Sequence, residues 1–458
     1  MNEQQKPIEL LSTNGRIQSL LNLGIHLNIR RTNTGDFLKA SLYNLVQIMR
    51  NAPIFKDRAR YDVFSEEIRW RDDEEIDSRL LDHHISQIRY TCEDRWAVAF
   101  KDKDVWSALD IVSRENPVNP LHDHFDKLRG LWDKKKHGSI ASKYFSMLGA
   151  KDTPLNRAYS RRFFLAMIAR SYATMDNLVK ADWVAVLYGD QRIGKSTALR
   201  ETVSFESFGE KYFGDTAIRI DDYRETVQKI QGKLLYELQE FAGRPKDPEY
   251  EKSFFSMRKD DVRYVYKRTY TQVPRRTTWA ITTNHKSIAR DASGSSRFWF
   301  VDLGDKKIDI DALREALPLM WSQSLATYDK WIEAKKILDK DPKDKDAKKI
   351  LEYGNWFLSP EENALRKEVE RDFEDAHPMT DDVERIIDQM RKNNVLPLKA
   401  TSIYRRLQEE LCPFVEKGAR HNQKIISDIL MRNGYRFDRK KSPNDETGDR
   451  IRGWWPPT

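Results

Sequence analysis

Trp183 to Thr197 reads WVAVLYGDQRIGKST: an apolar run rich in β-branched residues passes directly into a glycine loop that ends in Gly194-Lys195-Ser196-Thr197. The interval from Gly189 to Gly194-Lys195-Ser196 fits G-x-x-x-x-G-K-[ST], the pattern of a P-loop. In that pattern backbone N–H groups wrap phosphates, the lysine reaches the outer ones and the hydroxyl holds Mg²⁺. Glycine permits positive φ and close approach of the backbone to a ligand. A helix starting near Lys195 turns its partially positive N-terminus toward the anion. Val184 to Leu187 reads as a buried strand before the loop, and Ala198-Leu199-Arg200-Glu201-Thr202-Val203 continues helically behind it. Strand, loop and helix in that order predict a nucleotide site built from Gly189, Asp190, Gln191, Arg192, Ile193, Gly194, Lys195, Ser196 and Thr197.

The chain has 458 residues, more than one typical core accommodates, so several domains are expected. It is 33% charged and 39% hydrophobic, has no run of about 18 apolar residues and begins MNEQQKPIELL without an apolar signal core. Neither a membrane span nor export is expected, and Cys92 and Cys412, far apart and without metal-ligand spacing, fit a reducing cytosol. A net charge of +8 favours a polyanionic partner, but with 80 bases against 72 acids the excess must be concentrated locally to matter.

Residues 1–115 read as an α+β domain. Leu10 to Asn28 suggests a helix pair, and Arg60 to Phe64 followed by Glu67 to Trp70 alternates as a hairpin turning at Ser65-Glu66. Asp72 to Glu75 offers an acid-rich helix start, continued by Ile76, Leu80, Ile85 and Ile88. No chemistry stands out there. His83-His84 and His122-x-His124 lack companions at metal-ligand spacing and read as packing or surface histidines. Residues 116–178 are helical, with Arg157, Arg161, Arg162 and Arg170 among apolar neighbours; they form either a solvated face or a surface for a neighbouring subunit or nucleic acid.

The core domain is expected over residues 179–305. Gly232 to Glu240 reads as a second strand delivering carboxylates to the edge where the loop lies: Glu237 to the Mg²⁺ side, Glu240 to orient or deprotonate water, roles that are exchangeable. Phe254 to Arg276 interleaves bases, Arg258, Lys259, Arg263, Lys267, Arg268, Arg275 and Arg276, with tyrosines. That suits single-stranded nucleic acid, or else a solvated hairpin with its aromatics turned inward. Lys259, Arg263, Lys267 and Arg268 are the candidate DNA contacts. Thr278 to Asn284 is a third strand tipped by an amide, and Arg297 precedes an aromatic strand.

This order resembles the virulence-associated protein E family, ATPases related to the superfamily 3 helicases of viruses and mobile elements. The resemblance rests on GDQRIGKST, YELQE, the R-Y-x-Y-K-R run followed by PRR, AITTN and SGSSRFW, and extends from Asn116 to Asn355-Trp356-Phe357-Leu358-Ser359-Pro360-Glu361-Glu362. It implies an α/β P-loop core of AAA+-like, superfamily 3 type, with ATP and Mg²⁺ as ligands. It also implies that Asn284 senses the γ-phosphate and that Arg297 is presented to the adjacent subunit's nucleotide. Ser296 stands where the family commonly has a further arginine. Many relatives carry a primase module ahead of the ATPase; the first 115 or so residues show no carboxylate set for two-metal chemistry, so the primase is expected to be a separate protein.

Residues 306–380 read as helical and 381–458 as a winged-helix-like domain. Three helical segments precede two basic strands, and His421, Asn422 and Lys424 open the helix that would face a groove. The combined expectation is an ATP-dependent DNA helicase of a phage or mobile element. It would act in the bacterial host cytoplasm as a homo-oligomeric ring, a hexamer, on single-stranded and forked DNA. An ATP-gated initiator or interference protein that does not unwind DNA shares every motif. A small-molecule kinase would need neither the basic hairpin nor Asn284 and Arg297.

Overall fold

A computed structural model of the chain describes residues 13–33, 35–72, 77–205, 208–239, 248–262, 270–284, 297–374, 380–393, 395, 397–411, 419–432, 434–441 and 450–456. The chain divides into two compact units, Met1–Leu128 and Arg129–Thr458.

In the first unit α1 (Thr13–Leu21) precedes a hairpin of β1 (Ile29–Thr32) and β2 (Gly35–Leu38) and then α2 (Leu42–Asn51). The strands β3 (Ala59–Asp62), β4 (Glu67–Arg71), β5 (Asp77–Arg79) and, beyond α3 (Asp82–Trp96) and α4 (Asp102–Glu115), β6 (Pro117–Val118) form one sheet of order β5-β4-β3-β6; α5 (Pro120–Leu128) ends the unit. The expected hairpin forms, with Asp62 opposite Glu67. The buried Asp62 carboxylate shapes its turn by accepting from the N–H groups of Phe64 and Ser65 at 3.0 and 3.2 Å. Two local expectations fail. Instead of a helix pair over Leu10 to Asn28 there is one described helix, which the chain leaves through Gly24 at φ 72°. The helix expected from Asp72 starts only at Asp82, because Asp77–Arg79 pairs with Arg69–Arg71 as an edge strand.

In the second unit α6 (Lys134–His137), a 3₁₀ turn (Ile140–Lys143), α7 (Tyr144–Met147) and α8 (Pro154–Ser171) lead into the sheet. Its strands are β7 (Val184–Tyr188), β8 (Phe213–Gly214), β9 (Leu235–Gln239), β12 (Thr278–Thr283) and β13 (Phe298–Asp302). They are joined by α9 (Lys195–Thr202), α10 (Tyr223–Ile230), α11 (Pro248–Ser256) and a hairpin of β10 (Lys259–Val262) and β11 (Thr271–Pro274). All five sheet strands run parallel in the order β13-β7-β12-β9-β8. Near-continuous apolar runs suit such strands, which are covered on both faces. One face carries Val184, Val186, Tyr236, Leu238, Trp279, Ile281, Phe298 and Phe300 into a core with Phe254 and Phe255. On the other, Trp299 stacks on Trp183 at 3.9 Å and on Tyr159 of α8 at 4.7 Å.

Two of the arginines read from α8 as a basic face are buried. Arg162 is held by Glu362 and by the Asn355 carbonyl, and Arg170 by the carbonyls of Thr277 and Ala181. Arg161 also reaches Glu362, and Arg157 pairs with Asp152. A helix covered by the sheet on one side and by α12 (Ile310–Lys340) on another has little surface left to present to solvent or nucleic acid. Downstream lie α13 (Lys345–Tyr353), α14 (Pro360–Glu374), α15 (Thr380–Lys392), α16 (Ala400–Leu411), α17 (Ala419–Arg432) and the hairpin β14 (Arg436–Lys441) and β15 (Arg450–Trp455). The last three helices and this hairpin share a core of Val383, Ile386, Leu398, Ile403, Leu407, Ile426, Leu430 and Trp454. Leu398 and Trp454 exchange backbone hydrogen bonds at 3.0 and 2.9 Å, which ties the hairpin to the helices. Among the described residues no helix is long and apolar enough to cross a membrane.

Candidate nucleotide site

The 189–194 loop leaves β7 at the carboxyl edge of the sheet and enters α9 through Gly194, whose φ of 104° disfavours any side chain. Gly189 is required for space: a Cβ there would meet the Gly304 oxygen at 2.9 Å and Ile193 Cδ1 at 3.0 Å. Arg192 holds a positive φ of 65°, an uncommon state for a residue with a side chain. The loop is tied at both ends. Gly189 and Asp190 donate their N–H groups to the carbonyls of Thr283 and Gly304, and Ile308 donates to the carbonyl of Ile193. The amides of Gly189 and Asp190 therefore anchor the loop, which leaves any anion to the later N–H groups and the helix N-terminus.

Lys195 lies back across the loop, its ammonium donating to the carbonyls of Gly189 at 2.6 Å and Asp190 at 2.8 Å. Ser196 Oγ donates to Glu237 Oε1 at 2.6 Å. Thr282 Oγ1 donates to the same oxygen at 2.5 Å. No sequence motif marks Thr282; its signal is a threonine two positions before the strand-tip Asn284, amid apolar residues. Glu237 is 1% exposed, and its second oxygen, Oε2, is buried without a hydrogen-bond partner among the described residues. A buried, unpartnered carboxylate oxygen is costly unless a cation meets it. One carboxylate and one hydroxyl fit Mg²⁺, which retains water and substrate oxygens for its other positions. No group of three or more His, Cys, Asp or Glu side chains among the described residues forms a metal cluster.

Strand order brings the third element in. β12 lies between β7 and β9, with Thr283 level with Tyr188 and Thr282 level with Gln239. Asn284 thus follows its strand at the edge from which the loop departs. Arg297 is at the other end: Phe298 is level with Val184, so a full strand length, roughly 15 Å, separates Arg297 from the loop of its own chain. Its Nε donates to Ser256 Oγ at 3.1 Å. Glu240, Arg290 and Ser296 lie outside the described residues.

The helix behind the loop is braced. The Trp321 indole donates to the Thr202 carbonyl at 2.9 Å, Tyr144 and Thr202 share a hydroxyl bond of 2.8 Å, and Arg314 pairs with Glu201 at 2.7 Å. That pairing holds the Glu201 carboxyl below its ordinary range.

The basic hairpin is only partly described. β10 and β11 pair from Lys259 opposite Pro274 to Val262 opposite Thr271, inside the basic stretch from Phe254 to Arg276. Arg263, Lys267 and Arg268 fall outside the described residues. Lys259 is exposed and donates to Gln272 Oε1 at 2.8 Å. Arg275, one of the bases of the Phe254–Arg276 run, is fully buried and faces neither solvent nor nucleic acid. It is paired with Asp260, donates to the Phe254 carbonyl and lies over the Phe254 ring. Its geometry roots the hairpin in the core. On α17 Lys424 is exposed, whereas the side chains of His421 and Asn422 lie outside those described.

Fold and site together describe an α/β protein with a glycine loop, a hydroxyl and a buried carboxylate gathered near the carboxyl edge of a parallel sheet. The chain belongs to the family of the virulence-associated protein E-like domain, whose signature matches residues 127–374, more than half of its length. Solved structures of the NrS-1 C-terminal region are also similar. One apo structure of residues 305–718 aligns at 11% identity over 86% of this chain and 95% of that one, with a TM-score of 0.36. An A-form apo structure aligns at 10% identity over 81% and 83%, with a TM-score of 0.35. A second A-form structure aligns at 10% identity over 58% of this chain and 64% of that chain, with a TM-score of 0.33. No curated protein gives a significant match.

Proposed function

We propose that the chain is an ATP-dependent DNA helicase of a phage or other mobile element, with an AAA+-like P-loop core of superfamily 3 type. The observation that carries this reading is the convergence of Ser196 and Thr282 on one oxygen of Glu237 while the other oxygen is buried and without a partner among the described residues. In this reading the amides of the loop's second half and the N-terminus of α9 bind the phosphates of ATP. Lys195 exchanges its carbonyl partners for the outer phosphate oxygens. Ser196 and Glu237 hold Mg²⁺, which when bound neutralises charge developing on the phosphoryl oxygens. Asn284 reads the γ-phosphate end of the site, and Glu240 orients or deprotonates the attacking water. Arg297, a strand length from its own loop, serves the nucleotide of a neighbouring copy, which requires a ring assembly such as a hexamer. Lys259 and the hairpin bases Arg263, Lys267 and Arg268 track single-stranded DNA, and the C-terminal three helices and hairpin act as a winged helix on duplex. Such a chain works in the cytoplasm of its bacterial host, beside a separate primase.

Strand displacement on a forked duplex tests the reading. ATP-dependent release of the displaced strand by the native chain, lost in Lys195→Ala, supports a helicase. ATP hydrolysis and DNA binding without release instead mark an ATP-gated initiator.

A further inference from the structure

The first unit carries a surface that the nucleotide site does not use. In the β1–β2 hairpin Arg30 is directly opposite Phe37, so both lie on the same face, and Lys39 follows on that face two positions on. The opposite face takes Ile29 and Leu38 into the unit's core. The outward face borders a groove of about 560 Å³ lined by Arg30, Thr32, Phe37, Leu38, Lys39 and Ala40. Phe37 is 41% exposed there, with Tyr43 46% exposed nearby in sequence on α2. Asp36, the single acid of the two strands, is opposite Arg31 and belongs to the other face.

The platform is rigid at its base. Asn44, fully buried, accepts from the Asn28 N–H at 2.7 Å and donates to the carbonyls of Asn28 and Lys39 at 2.8 and 2.9 Å, clamping both ends of the hairpin to α2. An exposed ring held on a fixed strand loses little conformational freedom when another flat group stacks on it.

From this arrangement we infer that the β1–β2 face binds single-stranded DNA, with a base stacked on Phe37 and phosphates on Arg30 and Lys39. The charge selects a polyanion. The solvent-facing ring between two cations selects a strand whose bases are open to stacking, because in a duplex those faces are covered. The surface is independent of the ATPase reading, since it needs neither nucleotide nor the glycine loop.

The test uses the full chain without nucleotide and a thymidine oligonucleotide carrying photoreactive 5-iodouracil. Trypsin releases Thr32 to Lys39 as one peptide, and the expected result is a nucleotide adduct on it. Phe37→Ala should lower the adduct yield about tenfold, Phe37→Leu nearly as much, and Phe37→Trp should restore it. Arg30→Gln with Lys39→Gln, whose tryptic peptide runs on from Thr32 to Arg50, should make the yield of adduct located at Phe37 fall less steeply with salt, by about 1.4 in the log–log slope. Absence of the adduct at saturating oligonucleotide, or its persistence in Phe37→Ala, overturns the assignment. So does equal yield with Leu and Trp, which marks an apolar protein-docking patch. Binding of the native chain to anionic vesicles that is lost in the Gln variant, with the adduct unchanged, overturns it in favour of a membrane surface.

Discussion

Ser196 and Glu237, 41 residues apart, are joined by a 2.6 Å hydrogen bond that links the first turn of the helix behind the glycine loop to the middle of a neighbouring strand. The carboxylate is buried and shares the same oxygen with Thr282, while its other oxygen has no hydrogen-bond partner among the described residues. A buried carboxylate oxygen without a partner opposes folding, and in the proposed reading Mg²⁺ offsets that cost.

Glu237→Gln separates these two effects. The amide keeps both hydroxyl contacts and removes the buried charge, so the denaturation midpoint should hold or rise, by on the order of 1 kcal/mol. Mg²⁺-dependent ATP turnover should fall at least about a hundredfold. A large loss of stability with turnover retained would make Glu237 a structural residue.

Arg275 and Asp260 form a buried ion pair at the base of the basic hairpin. Arg275→Met leaves the buried Asp260 carboxylate without a cation, with only the Tyr223 hydroxyl donating to it, and should cost about 3–5 kcal/mol in chemical denaturation. Adding Asp260→Leu should restore most of it. If the single and double variants are equally unstable, the pair does not anchor the hairpin.

Arg297 and its own loop are at opposite ends of the sheet, and in the proposed reading this arginine acts on a neighbouring copy's nucleotide. Arg297→Ala should fold, bind ATP and assemble, yet be nearly inactive. Mixing it with Lys195→Ala from dissociated subunits should recover part of the turnover, because an intact Arg297 then faces an intact loop. Full activity of Arg297→Ala alone would move the role to another arginine, with Arg290 the nearest in sequence.

Cys92 is buried, and burial pushes its thiol up to about 12. It should resist alkylation at pH 8.5 in the native chain and react once unfolded. The folded chain keeps a proton that the unfolded chain releases above about pH 9, so this group's contribution to stability is present below that pH and lost as pH rises toward 12. Rapid native labelling of Cys92 would contradict its burial.

Much of the core was legible because its signals are local. The run from Trp183 to Thr197 contains strand, loop and helix in one stretch, and Thr278 to Thr283 is apolar enough to be read as a strand unaided. What escaped depends on partners distant in sequence. Nothing near Arg170 shows that it will be buried against the carbonyls of Thr277 and Ala181. Likewise Arg275 looks like one more base in a basic run until Asp260 is placed beside it by strand pairing. The Asp77–Arg79 strand was missed because edge pairing with Arg69–Arg71 overrode an apparent helical spacing.

The most direct measurement is steady-state ATP hydrolysis by the purified chain with single-stranded DNA, with and without Mg²⁺, beside Lys195→Ala. Turnover should require Mg²⁺ and be abolished in Lys195→Ala, with ATP binding sharply weakened, because the outer phosphates lose the cation that reaches them. Undiminished hydrolysis in Lys195→Ala, or no ATP binding by the native chain at millimolar ATP and Mg²⁺, would contradict the assignment of the glycine loop.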